Sequence, residues 1–309
     1  MTLRTTKDIT TTNRIVEVSE MVTDNYALEV PLLNALLKNV KETKLNTVEK
    51  YVRRLDTDID TSANVYGEGS TLKNQSNKTR YKQKKISNNV ETYREEISIS
   101  DDLDIMDPGV LTSEVDGAVG LLSTHLEKRI IFGDGEDTSE GYQTIKGIVE
   151  FLPEENKITI NKNDFKTDAA AKLKEILKVA KCNTLNAVIG GYDAISLLDN
   201  LVQNITTNQG EQTLFYGNRV LQTNKGLITP VLSPAFDMID NGNCLLFIDT
   251  RKISLYAKKD RLYAVSQIVD SRLDGKALQL MNKCTMLPDI DPSAFVFVEF
   301  TEGTKAKTK

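Results

Sequence analysis

The sequence is poor in the residues that most catalytic and metal sites need. It has no tryptophan, one histidine (His125) and three cysteines among 309 residues. With one histidine, the chain lacks the residues for histidine metal sites and for most hydrolytic triads. The cysteines, Cys182, Cys244 and Cys284, are odd in number and widely spaced, which supports neither a disulfide framework nor a four-ligand zinc site. We therefore predict no metal, no cofactor and no catalytic residues: the interpretation is that this protein is not an enzyme.

Long hydrophobic runs are also missing. No run approaches the roughly 20 apolar residues that cross a bilayer, and the N-terminus has no apolar stretch resembling a signal peptide. We expect no membrane partner and a protein that stays in the cytoplasm where it is made. A chain of 309 residues with 39 % hydrophobic composition can still bury a sizeable core, in one large domain or two intertwined ones.

The net charge is −5, which argues against a protein whose main task is to bind nucleic acid. The charge is nevertheless polarised along the chain. One run contains six cations and no acid: Lys73, Lys78, Arg80, Lys82, Lys84 and Lys85. An acidic stretch follows, which includes Asp101, Asp102 and Asp104. The basic run fits a nucleic-acid patch, a solvated loop or a surface that docks on an acidic neighbour, and the rest of the sequence favours the third.

The N-terminal third lacks the apolar density of a self-contained domain. Pro31 opens a helix with leucines on one face, in an arm that lies along its own body or along a neighbour. Alternating residues around Val48–Leu55 and Val90–Ile99 predict two strands of a long hairpin with a polar tip. Because an isolated hairpin is marginal in water, we expect another subunit to support it.

The clearest element is a helix from Pro108 to Phe132, with Thr112 and Ser113 as candidate caps and Gly133 as its end. Its apolar stripe has spacings of four and three residues: Val115, Val119, Leu122, Leu126 and Ile130. The remainder alternates helices with strands, including a helix that Thr167 can cap, and beyond Arg219 it becomes almost all strand. The pattern is typical of an α+β protein.

Two later segments resemble binding motifs superficially. The loop after the helix carries four acids: Asp134, Glu136, Asp137 and Glu140. It lacks the alternating oxygen ligands and the sixth-position glycine of a calcium loop, so a solvated acidic loop is the better interpretation. Gly190 and Gly191 are better explained as a tight strand-to-helix connection than as an anion site.

A family resemblance rests on the order of these parts and on four segments: Leu126–Gly133, Ile145–Leu152, Leu245–Asp249 and Ile253–Ala257. In both respects the chain resembles the major capsid proteins of tailed bacteriophages with the Hong Kong 97-type fold. The resemblance takes Ile145–Leu152 as a strand with a K-G-hydrophobic pattern. It also implies a division into six segments. These are an N-terminal arm (1–45), an extended hairpin loop with the start of the peripheral domain (46–100), the peripheral domain with its spine helix (101–147), the axial domain (148–251), peripheral strands (252–287), and a final axial strand and tail (288–309).

The resemblance implies a structural function. Copies of the chain would form hexamers and pentamers of an icosahedral head that encloses double-stranded DNA without sequence-specific binding, in a virion assembled in the bacterial cytoplasm. A portal is expected and a decoration protein is possible. An arm that begins almost at Met1 implies either a separate scaffolding protein or a mature form that has already lost a scaffolding segment. The extended loop would lie across a neighbour, where the basic run would meet the acids before or after the spine helix. We assume that no cross-link forms.

Three alternatives stay open at this point. An encapsulin-like nanocompartment shell protein has the same fold and is the nearest. A hydrolase or nucleotide-binding enzyme would need a convergent polar site that the sequence does not supply. A DNA-binding protein that uses Lys73–Lys85 would show strongly salt-dependent binding to free duplex.

Overall fold

The computed structural model of the chain describes residues 30–55, 81–100, 110–136, 144–204, 219–237, 242–268 and 275–302. Within these ranges the α-helices are α1 (Pro31–Leu37), α2 (Val110–Phe132), α3 (Ile148–Phe151), α4 (Lys162–Thr167), α5 (Ala169–Val179), α6 (Tyr192–Ser196) and α7 (Pro234–Asp237). Short 3₁₀ turns occur at Glu154–Asn156, Asp199–Leu201, Thr250–Lys252 and Pro292–Ala294. In this part of the chain no helix is both long and apolar enough to cross a membrane.

The strands of the described ranges form three sheets. The strands are β1 (Lys41–Thr43), β2 (Thr47–Leu55), β3 (Tyr81–Asn89), β4 (Glu91–Ser100), β5 (Lys157–Asn161), β6 (Ala187–Gly190), β7 (Gln203–Asn204), β8 (Arg219–Thr223), β9 (Gly226–Leu232), β10 (Cys244–Ile248), β11 (Ile253–Lys258), β12 (Ala264–Ile268), β13 (Gly275–Pro288) and β14 (Val296–Thr301). A five-stranded sheet has the order β1-β11-β13-β12, and β4 also pairs with β13. A seven-stranded sheet has the order β5-β14-β10-β6-β9-β8-β7. Strands β2 and β3 form a separate two-stranded hairpin sheet.

The long β13 strand organises the five-stranded sheet. It runs antiparallel to β4, β11 and β12, whereas β1 joins the edge in parallel with β11. The seven-stranded sheet is mixed, since β5 and β14 are parallel, as are β6 and β9. Strand β10 at its centre is buried along its whole length, as expected for a strand covered on both faces.

Helix α2 connects two hydrophobic cores. Val119 and Leu122, in its first half, pack in a core with residues of β4, β12 and β13, including Leu280. Leu126 and Ile130, in its second half, belong to the larger core that also contains the seven-stranded sheet. From Val119 to Ile130 the apolar stripe therefore points inward over about three turns, because residues three and four apart share one helix face.

The described part of the arm lies on its own chain. Helix α1 begins at Pro31, which occupies the first turn, where a missing N–H costs no hydrogen bond. Leu32, Leu33 and Leu36 are buried in the larger core. Of the two alternatives for the arm, the structure selects its own body for residues 30–37. The residues of the predicted arm before Val30 lie outside the described residues.

The second strand of the predicted hairpin was placed wrongly. Strand β2 pairs with Tyr81–Asn89, in a register that joins Val48 to Asn88 and Val52 to Lys84. The predicted partner, Val90–Ile99, is instead part of β4, which pairs with β13. Strand β4 alternates because Ile97 packs under α2 in the smaller core, whereas β3 has only two apolar residues, Tyr81 and Ile86, and does not alternate. The end of the basic run therefore lies in a strand, and the rest of the predicted tip lies outside the described residues.

Three local predictions also need correction. Ile148–Phe151 is a short helix rather than a strand, with Ile148 and Phe151 buried three residues apart on one face. Asp168, not Thr167, caps α5, and its side chain accepts a hydrogen bond from the N–H of Ala171. Helix α2 begins at Val110, so Thr112 and Ser113 lie inside it rather than at its cap.

A close backbone crossing fixes the end of α2. The N–H of Gly147 donates to the carbonyl of Gly133 at 2.7 Å, which brings the two glycines together. A Cβ on Gly147 would lie 2.5 Å from the nitrogen of Gly133 and 2.6 Å from the carbonyl oxygen of Ile131. Both are backbone atoms, which cannot turn aside as a flexible side chain can. Glycine at 147 is therefore a requirement of the crossing.

We expect Gly147→Ala to lower the free energy of unfolding by about 1–3 kcal/mol, the range for overpacking a tight site. The matched control is Gly117→Ala in α2, where an added Cβ meets no atom within 4 Å. There alanine should stabilise by about 0.5–1 kcal/mol, since glycine is a poor helix former. Urea denaturation of both variants measures the difference. Equal effects would show that the crossing is not tight.

Candidate inter-subunit surface

The β2–β3 hairpin has one buried and one exposed face. Directly paired residues of antiparallel strands lie on the same face, and the two faces alternate along each strand. One face carries Val48, Val52 and Ile86, which join the larger core. The other face is exposed, and its residues are Glu49, Tyr51, Arg53, Gln83, Lys85 and Ser87. Tyr51 is 60 % exposed, which is unusual for an aromatic side chain in the middle of a strand.

The structure locates three of the six predicted cations. Lys82, Lys84 and Lys85 lie on β3, and the side chains of Lys84 and Lys85 are exposed. The remaining three, Lys73, Lys78 and Arg80, lie outside the described residues. Arg53, on the strand opposite, adds an exposed cation that the sequence analysis did not include.

One cation of the hairpin already has a partner within the chain. Lys85 Nζ lies 2.8 Å from Glu49 Oε2, across the strand pair. The hydrogen bond to Glu49 raises the pKa of Lys85 above its ordinary value. Lys85 is therefore a weaker candidate for a neighbouring subunit than Lys84.

Two of the predicted acidic acceptors are described, and both are exposed. Asp134 and Glu136 lie in the loop after α2, whereas Asp101, Asp102, Asp104, Asp137 and Glu140 lie outside the described residues. Asp134 Oδ1 accepts hydrogen bonds from the N–H of Glu136 at 3.2 Å and the hydroxyl of Thr144 at 3.1 Å. The bond from Glu136 is the largest influence on the carboxyl group and lowers its pKa, so Asp134 stays charged. Among the described residues no ion pair joins these acids to Lys84 or Lys85 within one chain.

The base of the hairpin is fixed to the body through Asp289, which follows β13. Asp289 Oδ1 accepts from Lys50 of β2 and lies 3.6 Å from Lys41 Nζ of β1. Asp289 Oδ2 accepts from the hydroxyl of Ser254 in β11 at 2.6 Å. Burial alone would raise the pKa of Asp289, but the hydrogen bonds from Lys50 and Ser254 outweigh it and lower the pKa. This cluster ties the hairpin to the five-stranded sheet.

We expect Asp289→Asn to loosen the hairpin base, because a hydrogen bond to a charged group contributes about 1.5–3 kcal/mol. A carboxyl group with a lowered folded pKa stabilises above its unfolded pKa and loses that contribution as the pH falls through the folded value. Protection of the β2 amides in the wild type, corrected for the intrinsic pH dependence of exchange, should therefore fall below about pH 4, and the variant should lose this pH dependence. Asp260→Asn is the control, since Asp260 is an exposed turn residue with φ of 53° that asparagine also tolerates. An unchanged exchange rate in β2 of Asp289→Asn would contradict the anchor.

A second polar connection joins the hairpin to the segment after α2. Asn88, buried in β3, donates from Nδ2 to the carbonyls of Lys146 and Met286, each at 2.8 Å. Its Oδ1 accepts from the N–H of Lys146, also at 2.8 Å. The Asn88 side chain therefore makes the hydrogen bonds to the N–H and the carbonyl of Lys146 that a neighbouring strand would otherwise make. Such a fully satisfied buried amide fixes the local geometry.

Glu91, the first residue of β4, ties that strand to the end of α2. Its Oε1 pairs with Arg129 of α2, and its Oε2 accepts from the N–H of Ile145 at 2.9 Å. Burial raises the pKa of Glu91, against the opposing effects of the Ile145 N–H and the Arg129 charge. A surface cleft of about 360 Å³ opens beside this pair, lined in part by His125, Lys128 and Asp134. His125 is exposed there.

The predicted spine-helix residues are placed as a continuous inward stripe. Val119, Leu122, Leu126 and Ile130 are buried, and Val115 is half-buried against the smaller core. In the part of the chain that the structure describes, no three histidine, cysteine, aspartate or glutamate side chains are grouped to hold a metal ion.

One buried residue that no sequence pattern had indicated, Glu127, joins three elements. Glu127 of α2 is completely buried, and its Oε2 accepts from the N–H of Leu33 at 2.9 Å. The N–H of Leu32 also donates to this carboxyl group, and the hydroxyl of Ser233 hydrogen bonds to Oε1. Burial is the largest effect and raises the pKa of Glu127 to about 7. The only sequence signal is a single acid on the apolar face of a helix.

Comparison with solved structures shows the fold. The capsid of a native GTA particle, computed with C5 symmetry, is 12 % identical, with a TM-score of 0.61 over 86 % of this chain and 90 % of that one. A structure from Mycobacterium phage Adephagia is also 12 % identical, with a TM-score of 0.59 over 89 % and 91 %. The SrpI encapsulin of Synechococcus elongatus PCC 7942 is 11 % identical, with a TM-score of 0.50 over 85 % and 86 %. Identities this low establish only that the chain has the mixed helix-and-strand fold of phage capsid proteins.

The family is shown by sequence. No curated protein sequence matches the chain. The sequence profile of the SU10 major capsid protein family matches residues 4–267, which is most of the chain. That family consists of structural capsid proteins of the virion rather than enzymes, which confirms the prediction that this protein is not an enzyme. The chain belongs to the SU10 major capsid protein family.

Proposed function

We propose that the chain is a major capsid subunit that assembles into hexamers and pentamers of an icosahedral phage head. The observation that carries this proposal is the β2–β3 hairpin. Val48, Val52 and Ile86 of its inner face are packed in the core, while its outer face is exposed and bears Tyr51 and Arg53. Lys84, which pairs with Val52, is an exposed residue of the inner face. A two-stranded sheet with a free outer face suits contact with another subunit. The C5 symmetry with which the similar GTA capsid was computed supports pentamers.

We assign the five-stranded sheet and α2 to the peripheral domain of a Hong Kong 97-type fold, and the seven-stranded sheet to its axial domain. The sheet order supports this division, since β11, β12 and β13 join one sheet while β14 returns to the other. Residues 252–287 then belong to the peripheral domain and 288–309 to the axial domain. Helix α2 is the spine, because it contacts both cores.

The hairpin docks on an acidic surface of the adjacent subunit. Its cations at Arg53 and Lys84 are exposed and have no ion-pair partner among the described residues. Asp134 and Glu136 offer exposed carboxylates after the spine helix, and Asp134 is held in its charged form. Complementary charges on different faces of one chain produce a head-to-tail contact, and such a contact forms rings when the rotation between neighbours closes.

In this role the subunit uses a separate scaffolding protein and a portal, takes a decoration protein where one is present, and encloses genomic DNA without reading its sequence. Assembly takes place in the bacterial cytoplasm. The test is to produce the chain with and without its scaffolding protein and to examine the product by negative-stain microscopy and light scattering. Shells or capsomer rings support the proposal. Monomers alone under every condition with scaffold present would contradict it.

An encapsulin-like nanocompartment is the second candidate, favoured by the structural likeness to the SrpI encapsulin. The two functions differ in what the shell encloses. Particles purified from the natural source and treated with nuclease should protect double-stranded DNA if the chain builds a phage head. A nanocompartment should instead contain a cargo protein and no protected DNA.

A further inference from the structure

The N-terminus of α1 lacks a capping side chain of its own. Val30 occupies the N-cap position and makes no side-chain hydrogen bond, although the first N–H groups of a helix have no partner within it. A serine, threonine, aspartate or asparagine at this position normally accepts from them. Here the acceptor comes from α2, since the Glu127 carboxyl group binds the N–H groups of Leu32 and Leu33.

Glu127 performs this role without a cation among the described residues that pack around it. The residues of α1, Pro31–Leu37, include no titratable side chain. The segment that carries Ser233 continues into α7, whose acid Asp237 is exposed. The residue before β12, Tyr263, is buried and hydrogen bonds to Ser123, one turn before Glu127 on α2. On α2 itself, Arg129 is paired with Glu91, and Lys128 lines the surface cleft beside His125.

A buried carboxylate without a cation is unfavourable when charged, because burial removes water and only hydrogen bonds replace it. The protonated form avoids this penalty. Lifting α1 away from α2 also avoids it, since the carboxyl group then regains contact with water. The two forms of Glu127 therefore favour different positions of α1.

We propose that Glu127 is a latch, responsive to pH, through which protonation of one buried carboxyl group controls the docking of α1. Docking is favoured when Glu127 is neutral and weakened when it is charged. The chain thus has an internal control over the position of α1 that does not depend on any neighbouring subunit.

The direction follows from the two pKa values. With α1 docked the pKa is about 7, compared with 4.5 for an ordinary glutamate. A group whose pKa is raised in the docked state favours docking at low pH, and the contribution is lost as the pH rises through the docked pKa. With these values the ratio of undocked to docked α1 should increase about tenfold between pH 6 and pH 8.

The experiment is hydrogen–deuterium exchange of the full-length protein from pH 5.5 to 8.5, corrected for the intrinsic pH dependence of exchange. Protection of a peptide covering residues 30–37 should fall about tenfold between pH 6 and pH 8 in the wild type. Glu127→Gln, which has no titrating group, should show constant protection over this range. The central strand β10 supplies an internal reference, and Glu114→Gln, an exposed acid on the same helix, should behave as the wild type.

Ser233→Ala is a second variant that separates the latch from a merely structural contact. The Ser233 hydroxyl lowers the pKa of Glu127, so its removal should move the midpoint of the transition to higher pH. A structural role would reduce protection without moving the midpoint. Constant protection in the wild type, or the same pH dependence in Glu127→Gln, would overturn the proposal. If Glu127→Gln does not fold, an unmoved midpoint in Ser233→Ala overturns it instead.

Discussion

Replacement of Leu122 by alanine should lower the free energy of unfolding by about 2–5 kcal/mol, the range for removing a buried leucine side chain. Leu122 is 1 % exposed and packs with Ile97, Tyr263 and Leu280 in the smaller core. That core contains few residues, so little is available to fill the cavity that alanine would leave. We expect an effect in the upper half of the range.

The adjacent leucine is an internal control for the same chemical change. Leu121 is 55 % exposed on the opposite side of α2. Leu121→Ala should change stability by less than about 0.5 kcal/mol, as for most surface substitutions, and alanine is at least as good a helix former. Equilibrium unfolding in urea, with the m-value compared between variants, measures both. Similar losses for the two leucines would mean that the stripe does not define the buried face.

The spine helix was predictable because all the information lies within it. Its apolar residues recur every three or four positions, and a glycine ends it where the backbone crosses Gly147. The strands after Arg219 were predictable for the same reason, since their apolar runs are short and lie between turn residues. Local periodicity and local stop signals are sufficient for such elements.

The pairing of the hairpin was not predictable from alternation alone. Strand β3 has only two apolar residues, Tyr81 and Ile86, five positions apart, so alternation indicated β4 rather than the true partner of β2. Pairing depends on which face meets a core: Ile86 joins the larger core with β2, and Ile97 joins the smaller one under α2. Side chains alternate with a period of two residues on any strand, so alternation cannot show which of the two cores a strand faces.

Contacts between residues far apart in the sequence could not be predicted either. Glu127 caps a helix that begins nearly a hundred positions earlier, and Asp289 holds a lysine of β2 more than two hundred positions away. No local spacing rule connects such residues. The charged surface was partly predictable, since the basic run is contiguous, but the pairing of Lys85 with Glu49 follows from the strand register.

The exposed cations of the hairpin should decide assembly rather than folding. We expect the double variant Arg53→Glu/Lys84→Glu to keep the free energy of unfolding within about 0.5 kcal/mol per substitution, because both side chains are exposed. Each exposed ion pair contributes only about 0.2–1 kcal/mol, so one pair alone is insufficient for assembly. In a shell the same contact repeats in every subunit, and reversal replaces each attraction by a repulsion. The yield of closed shells should therefore fall sharply, while the single chain stays folded.

The double variant Lys174→Glu/Lys178→Glu is the matched control. It makes the same change in net charge on exposed lysines of α5, away from the hairpin. Shell yield is measured by sedimentation and negative-stain microscopy at several salt concentrations. Wild-type assembly should weaken as salt rises, since exposed charges separated by more than about 8 Å are screened at physiological ionic strength. Normal shells from the hairpin variant, or equal losses from both variants, would show that Arg53 and Lys84 do not contact a neighbour. A loss confined to the hairpin variant, greatest at low salt where like charges repel most strongly, would place the hairpin on an acidic surface of the adjacent subunit.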